Sequence, residues 1–191
     1  RALFGLPFLA LAQPPRKRPN VIVFMTDDHG AWATGAYGCA DIHTPNIDAL
    51  AKTGAKFTRA FACTPVCSPS RMTYMTGCVP SAHGVQDWLV PEDAFGPKSP
   101  AWLNGFTAFP EVLAKNGYQC GMVGKWHMGH DDQAQRGFTY WATVPGGGGT
   151  FKNATYVKNG VTTPYPGFKE DAIGDYALEF LQEQKPDTPF Y

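Results

Sequence analysis

The chain has 191 residues, with 16 lysines and arginines balancing 16 aspartates and glutamates, and 43% hydrophobic against 17% charged residues. That composition suits one folded domain and excludes a disordered tail, and zero net charge argues against nucleic-acid binding driven by phosphate neutralisation. No apolar run reaches the roughly 18–20 residues of a transmembrane helix, so no membrane span is expected.

Residues 1–13 read RALFGLPFLALAQ, an arginine followed by an apolar stretch that ends in Ala10-Leu11-Ala12. This is the pattern of a secretory signal with its start missing, and it predicts an exported protein, periplasmic or extracellular. Residues 14–19 (PPRKRP) form a linker, and the folded domain is expected over 20–191. Residues 20–25 (NVIVFM) are a continuous apolar, β-branched run that suits a strand buried on both faces of a parallel sheet. Thr44-Pro45 opens a helix that carries Ile47, Leu50 and Ala51 on one face and stops at Gly54. Residues 56–62 alternate like a strand, and residues 69–75 read as a helix opening just after Cys67.

Further along, Phe109, Val112 and Leu113 make a short amphipathic helix closed by Asn116-Gly117, and residues 118–123 resemble another strand. Gly146 to Gly149 form a loop with no packing capacity of its own. In the last helix Ile173, Tyr176, Ala177, Phe180 and Leu181 follow the i, i+3, i+4, i+7, i+8 pattern. Pro189-Phe190-Tyr191 look like the opening of a further strand, so the chain reads as cut short. Strands alternating with helices predict an α/β fold, a largely parallel sheet flanked by helices. The five cysteines, 39, 63, 67, 78 and 120, lack the paired spacing of a zinc ribbon, and buried free thiols are the plain reading for all but Cys67.

Three polar clusters follow predicted strands, where ligands gather in parallel α/β sheets. Asp27 and Asp28 are adjacent carboxylates, which repel unless a cation joins them, and their oxygens suit Ca²⁺ or Mg²⁺. Cys67 stands just before a helix, where the N-terminal partial charge favours anions, and Arg71 returns to the same face one turn later. Lys125 and His127 lie two apart, so on an extended segment both face one way and can bind an anion and move a proton. Each cluster alone also fits a solvated turn, a buried thiol or an ordinary strand end. Together they are compatible with one bound anion.

These residues resemble the sulfatase family of the alkaline-phosphatase-like superfamily. Cys67-Ser68-Pro69-Ser70-Arg71 with Thr76-Gly77 is similar to the family's first signature, and Gly117-Tyr118 through Gly124-Lys125-Trp126-His127 to its second. Thr26-Asp27-Asp28, the segment His43-Thr44-Pro45-Asn46-Ile47-Asp48, Gly137-Phe138 with Tyr140-Trp141, and the helix from Asp171 extend the resemblance over about residues 19–191. Cys120 departs from the Ser or Thr usual at its place.

The resemblance implies hydrolysis of sulfate esters, on a sulfated small molecule or carbohydrate. Cys67 would be oxidised by a formylglycine-generating enzyme that reads Pro69 and Arg71, and the hydrated aldehyde would be the nucleophile. Asp27, Asp28 and residue 67 would hold the cation, commonly Ca²⁺. Arg71 and Lys125 would hold the hydrate's charge, and His127 would take its proton. The family draws an Asp-Asn pair and further His and Lys residues from downstream sequence, so the chain is expected to be an N-terminal portion with little activity alone. A phosphodiester or phosphonate-ester hydrolase of the same superfamily, and a non-catalytic anion- or sugar-binding homologue, are the competing readings. Converting Cys67 would leave four cysteines and three possible pairings. Asn153-Ala154-Thr155 fits a glycosylation sequon.

Overall fold

A computed structural model describes residues 17–191, so the signal-like segment 1–13 and the start of the linker lie outside the described residues. Proline and glycine punctuate the helices much as their chemistry dictates. Helix α1 runs Pro45–Thr53 with proline in its first turn and Gly54 at its end. Helix α2, Cys67–Thr76, stops where Gly77 turns left-handed at φ 70°. The short helices α3, Pro80–His83, and α4, Pro91–Ala94, also open on proline. Helix α5, Phe109–Lys115, ends at Asn116 before Gly117, and α6 spans Lys169–Gln182.

The sheet has the order β1 (Gly121–Gly124), β2 (Tyr140–Thr143), β3 (Thr155–Lys158), β4 (Val161–Pro164). β1 and β2 pair in parallel, whereas β2–β3 and β3–β4 are antiparallel. The described sheet is therefore mixed: an α/β arrangement whose later strands return by short connections. Asn159-Gly160, both at positive φ, make the tight β3–β4 turn that antiparallel neighbours need. On the other side of β1, Phe190 bridges Gln119 in parallel, and the Tyr191 carbonyl accepts from Gly121 N–H at 2.8 Å. The strand expected from Pro189 onward thus lies beside β1.

Residues 20–25 depart from expectation. They form no ladder; Val21 N–H donates to the Phe190 carbonyl at 2.9 Å, and Ile22, Val23, Phe24 and Met25 are exposed, Phe24 by 79%. An apolar run is buried only by what packs on it, and among the described residues nothing covers this one. Residues 56–62 are likewise irregular, with Phe57 and Phe61 exposed. In α1 the expected apolar face is only partly covered: Ile47 and Ala51 are half-buried, and Leu50 stands in solvent.

The core lies around β2, which is buried on both faces. Side-chain alternation sends Tyr140 and Ala142 toward α6, where they meet Tyr176 and Phe180. Trp141 points the other way, into a cluster with Trp126 and Phe138 whose rings sit edge-on at 5.1–5.8 Å. Such aromatic pairs add about 0.5–1.5 kcal/mol each beyond the area they bury. β1 lies so close to α6 that a Cβ on Gly121 would stand 2.9 Å from the Phe180 ring. All five cysteines are free thiols, Cys120 buried and the other four partly or fully accessible. Burial raises the Cys120 thiol to about 11, which keeps it protonated and inert.

Candidate active site

The β1 backbone ends at Gly124, where φ is 100°, so the segment after it leaves the sheet. Lys125 and His127 therefore do not share the face of an extended strand: His127 itself is left-handed, with φ 59°. The turn carries the Lys125 ammonium to Asp27, its Nζ 2.5 Å from Oδ2. Arg71 arrives from α2 on the same carboxylate, with Nη2 3.6 Å from Oδ2. Its Nη1 donates to the main-chain carbonyl of Lys125 at 2.6 Å, which ties the first turns of α2 to the segment after β1.

Three of the expected residues thus converge as one charged group. Burial opposes the charge on Asp27, but the Lys125 hydrogen bond and the Lys125 and Arg71 charges outweigh it and hold this carboxyl below its usual range. Burial also lowers Arg71, against the charges of Asp27, Cys67 and Asp131, and a guanidinium stays protonated regardless. Cys67 is the first residue of α2, one helical turn before Arg71 and partly accessible. Asp28 is exposed, with φ 53°.

His127 is fully buried. Its Nε2 lies 2.9 Å from the Leu89 carbonyl. A carbonyl only accepts, so Nε2 carries the hydrogen, and burial lowers the imidazole's pKa so that the ring is neutral at neutral pH. Nδ1 then bears the lone pair, and it has no partner among the described residues. The Leu89 N–H in turn donates to Ser68 Oγ at 3.3 Å, so the backbone of one residue links the residue after Cys67 to the imidazole. The Trp88 ring stands edge-on to His127 at 5.8 Å.

Sequence reasoning missed three parts of this arrangement. Leu89 acts through its main chain, which no residue pattern reports. Asp131 is a fully buried carboxylate four residues after His127, and its Oδ2 accepts from Gly146 N–H at 3.0 Å. The glycine loop, expected to have no packing capacity of its own, lies against the site: a Cβ on Gly147 would lie 2.3 Å from His127 Cδ2. An acid close behind a histidine and a glycine run were both visible in the sequence, but their meeting was not.

Asp27 and Asp28 offer the hard oxygen donors that Ca²⁺ takes, so the donor chemistry fits a divalent cation. Among the described residues, no three His, Cys, Asp or Glu side chains converge on one point. The described residues do not gather Asp27, Asp28 and Cys67 into such a group, and these three alone would fall short of the roughly six to eight ligands that Ca²⁺ takes. No helix among the described residues is long and apolar enough to cross a membrane.

A helical layer on a mixed sheet makes this an α/β fold, and its solved neighbours give it the alkaline-phosphatase-like class. A sulfatase family profile matches residues 19–191, and the chain belongs to the sulfatase family. It is 32% identical over 194 aligned residues to an N-acetylglucosamine-6-O-sulfatase of Bacteroides thetaiotaomicron, covering 98% of this chain and 32% of that protein. A solved structure described as a complex with its substrate D-glucosamine-2-N,6-O-disulfate superposes with a TM-score of 0.78 and 31% identity, over 91% of this chain and 33% of the other. A phosphonate monoester hydrolase of Agrobacterium radiobacter shares the fold at a TM-score of 0.63 and 20% identity, over 91% of this chain and 40% of that one. The chain spans about a third of the length of the first two relatives.

Proposed function

We propose that the protein hydrolyses sulfate esters, water and R–O–SO₃⁻ giving the alcohol and sulfate, through a formylglycine made from Cys67. The observation that carries this reading is the meeting of Arg71 and Lys125 on Asp27, beside a helix that begins at residue 67. A divalent cation, Ca²⁺ or Mg²⁺, held by Asp27, Asp28 and residue 67 would supply charge for an oxyanion, and the hydrated aldehyde would supply the attacking hydroxyl. Arg71, held by the Lys125 carbonyl, and Lys125 itself stabilise negative charge at residue 67. Neutral His127 accepts a proton at Nδ1 while Leu89 fixes its other nitrogen.

The substrate class is a sulfated carbohydrate, a reading supported by the relatives acting on sulfated amino sugars. Maturation needs a formylglycine-generating enzyme that reads the Cys67–Arg71 segment, and export follows from residues 1–13. In protein taken from its native host, mass spectrometry of the tryptic peptide 60–71 should find an aldehyde or its hydrate at residue 67. A plain thiol there, in a host that matures its other sulfatases, would favour a non-catalytic binding homologue. Paired aryl sulfate and aryl phosphate diester assays on the same material separate sulfatase from phosphodiesterase.

A further inference from the structure

Asp131 belongs to no part of the chemistry described so far, yet it is fully buried. Its backbone is pinned by the neighbouring strand: the carbonyl accepts from Trp141 Nε1 at 3.0 Å and from Thr143 Oγ1. Its carboxylate accepts from Gly146 N–H at 3.0 Å through Oδ2, while Oδ1 has no partner among the described residues. Gly146 and Gly147 both have φ 73°, a left-handed turn that residues with a Cβ rarely adopt. That turn lays the Gly147 backbone against the imidazole, where a Cβ would meet Cδ2, Cγ and Nε2 of His127 at 2.3–2.5 Å. Among the described residues the ring's own hydrogen bonding is a single contact, to the Leu89 carbonyl.

We propose that Asp131 is a positioning residue for His127: anchored by β2, its carboxylate holds the Gly146–Gly147 turn against the imidazole and so fixes the direction of Nδ1. The inference rests on His127 being the proton acceptor, but the packing it describes is independent of turnover. One hydrogen bond leaves a ring free to pivot about it, and the second restraint comes from the glycine turn. Without the carboxylate, the two glycines have little reason to keep their turn.

The test uses the protein as its native host makes and matures it, with ¹⁵N-labelled histidine, reading the His127 ring nitrogens by NMR alongside aryl sulfate kinetics. Asp131→Ala should shift or broaden the His127 ring signals and lower kcat about 100-fold with KM changed by less than about twofold. Asp131→Asn keeps an oxygen for the Gly146 N–H and should restore most of both. His127 signals identical to wild type in Asp131→Ala would overturn the proposal, as would an asparagine variant no better than alanine. If Asp131→Ala does not fold, Gly147→Ala keeps the carboxylate and still crowds the ring, so unchanged ring signals in that variant are equally fatal. A wild-type protein with no sulfatase turnover would refute the functional reading, and the ring spectra would still decide the role of Asp131.

Discussion

At the scale of single residues, Arg71 has two separate jobs. One amino group faces Asp27 and the other holds the Lys125 carbonyl. Arg71→Ala removes both, and leaves a part-buried carbonyl without its donor. We expect a loss of about 2 kcal/mol, as for hydrogen bonds to charged groups, read as a lower urea midpoint with an unchanged m-value. Asp131 makes a prediction of opposite character. Burial, against the nearby backbone amides, raises its carboxyl from 3.8 to about 7. The folded protein therefore binds a proton that the unfolded chain has released, and stability falls as pH rises from about 4 to 7. Asp131→Asn cannot titrate, so its melting temperature relative to wild type should climb across that window. A flat difference would show that the carboxylate is charged in the folded state at no cost.

At the scale of elements, the helices were legible because their ends carry chemistry. Proline opens α1 and glycine stops it, Gly77 stops α2, and Asn116-Gly117 close α5. Strands depend on neighbours, and there the reading was uneven. The segment 118–123 became β1 because β2 pairs with it and α6 covers it, whereas 20–25 and 56–62 have equal strand character and no cover. The site was legible as a set of residue types and not as a geometry. Asp27, Arg71 and Lys125 meet as their charges suggest, but two left-handed residues, Gly124 and His127, turn the chain where an extended segment was expected. The α6–β1 contact offers a check on the packing. Gly121→Ala pushes a methyl into Phe180, and overpacking of this kind costs about 1–3 kcal/mol, measurable by thermal or urea unfolding.

At the scale of the molecule, burial is uneven. Around β2 both faces are closed by aromatic rings, while Ile22, Phe24, Phe57 and Phe61 are each exposed. The proposed cation site shows a similar imbalance. Asp27, Asp28 and residue 67 would provide three positions, where Ca²⁺ takes about six to eight. Residues 1–191 on their own are therefore expected to hydrolyse aryl sulfates poorly even when residue 67 is matured, with kcat/KM little above the uncatalysed background. Appreciable turnover by that chain would mean that fewer donors suffice.

The backbone of Leu89 has a consequence for any attempt to map this site by replacing side chains. Its N–H holds Ser68 and its carbonyl holds His127, just as the Lys125 carbonyl holds Arg71 and the Gly146 N–H holds Asp131. An alanine scan leaves every one of these groups in place, and would score Leu89 only for its buried side chain. Exchanging the amide for an ester at single positions reaches what the genetic code cannot. The wiring between residue 67 and the imidazole belongs to the path of the chain as much as to its letters.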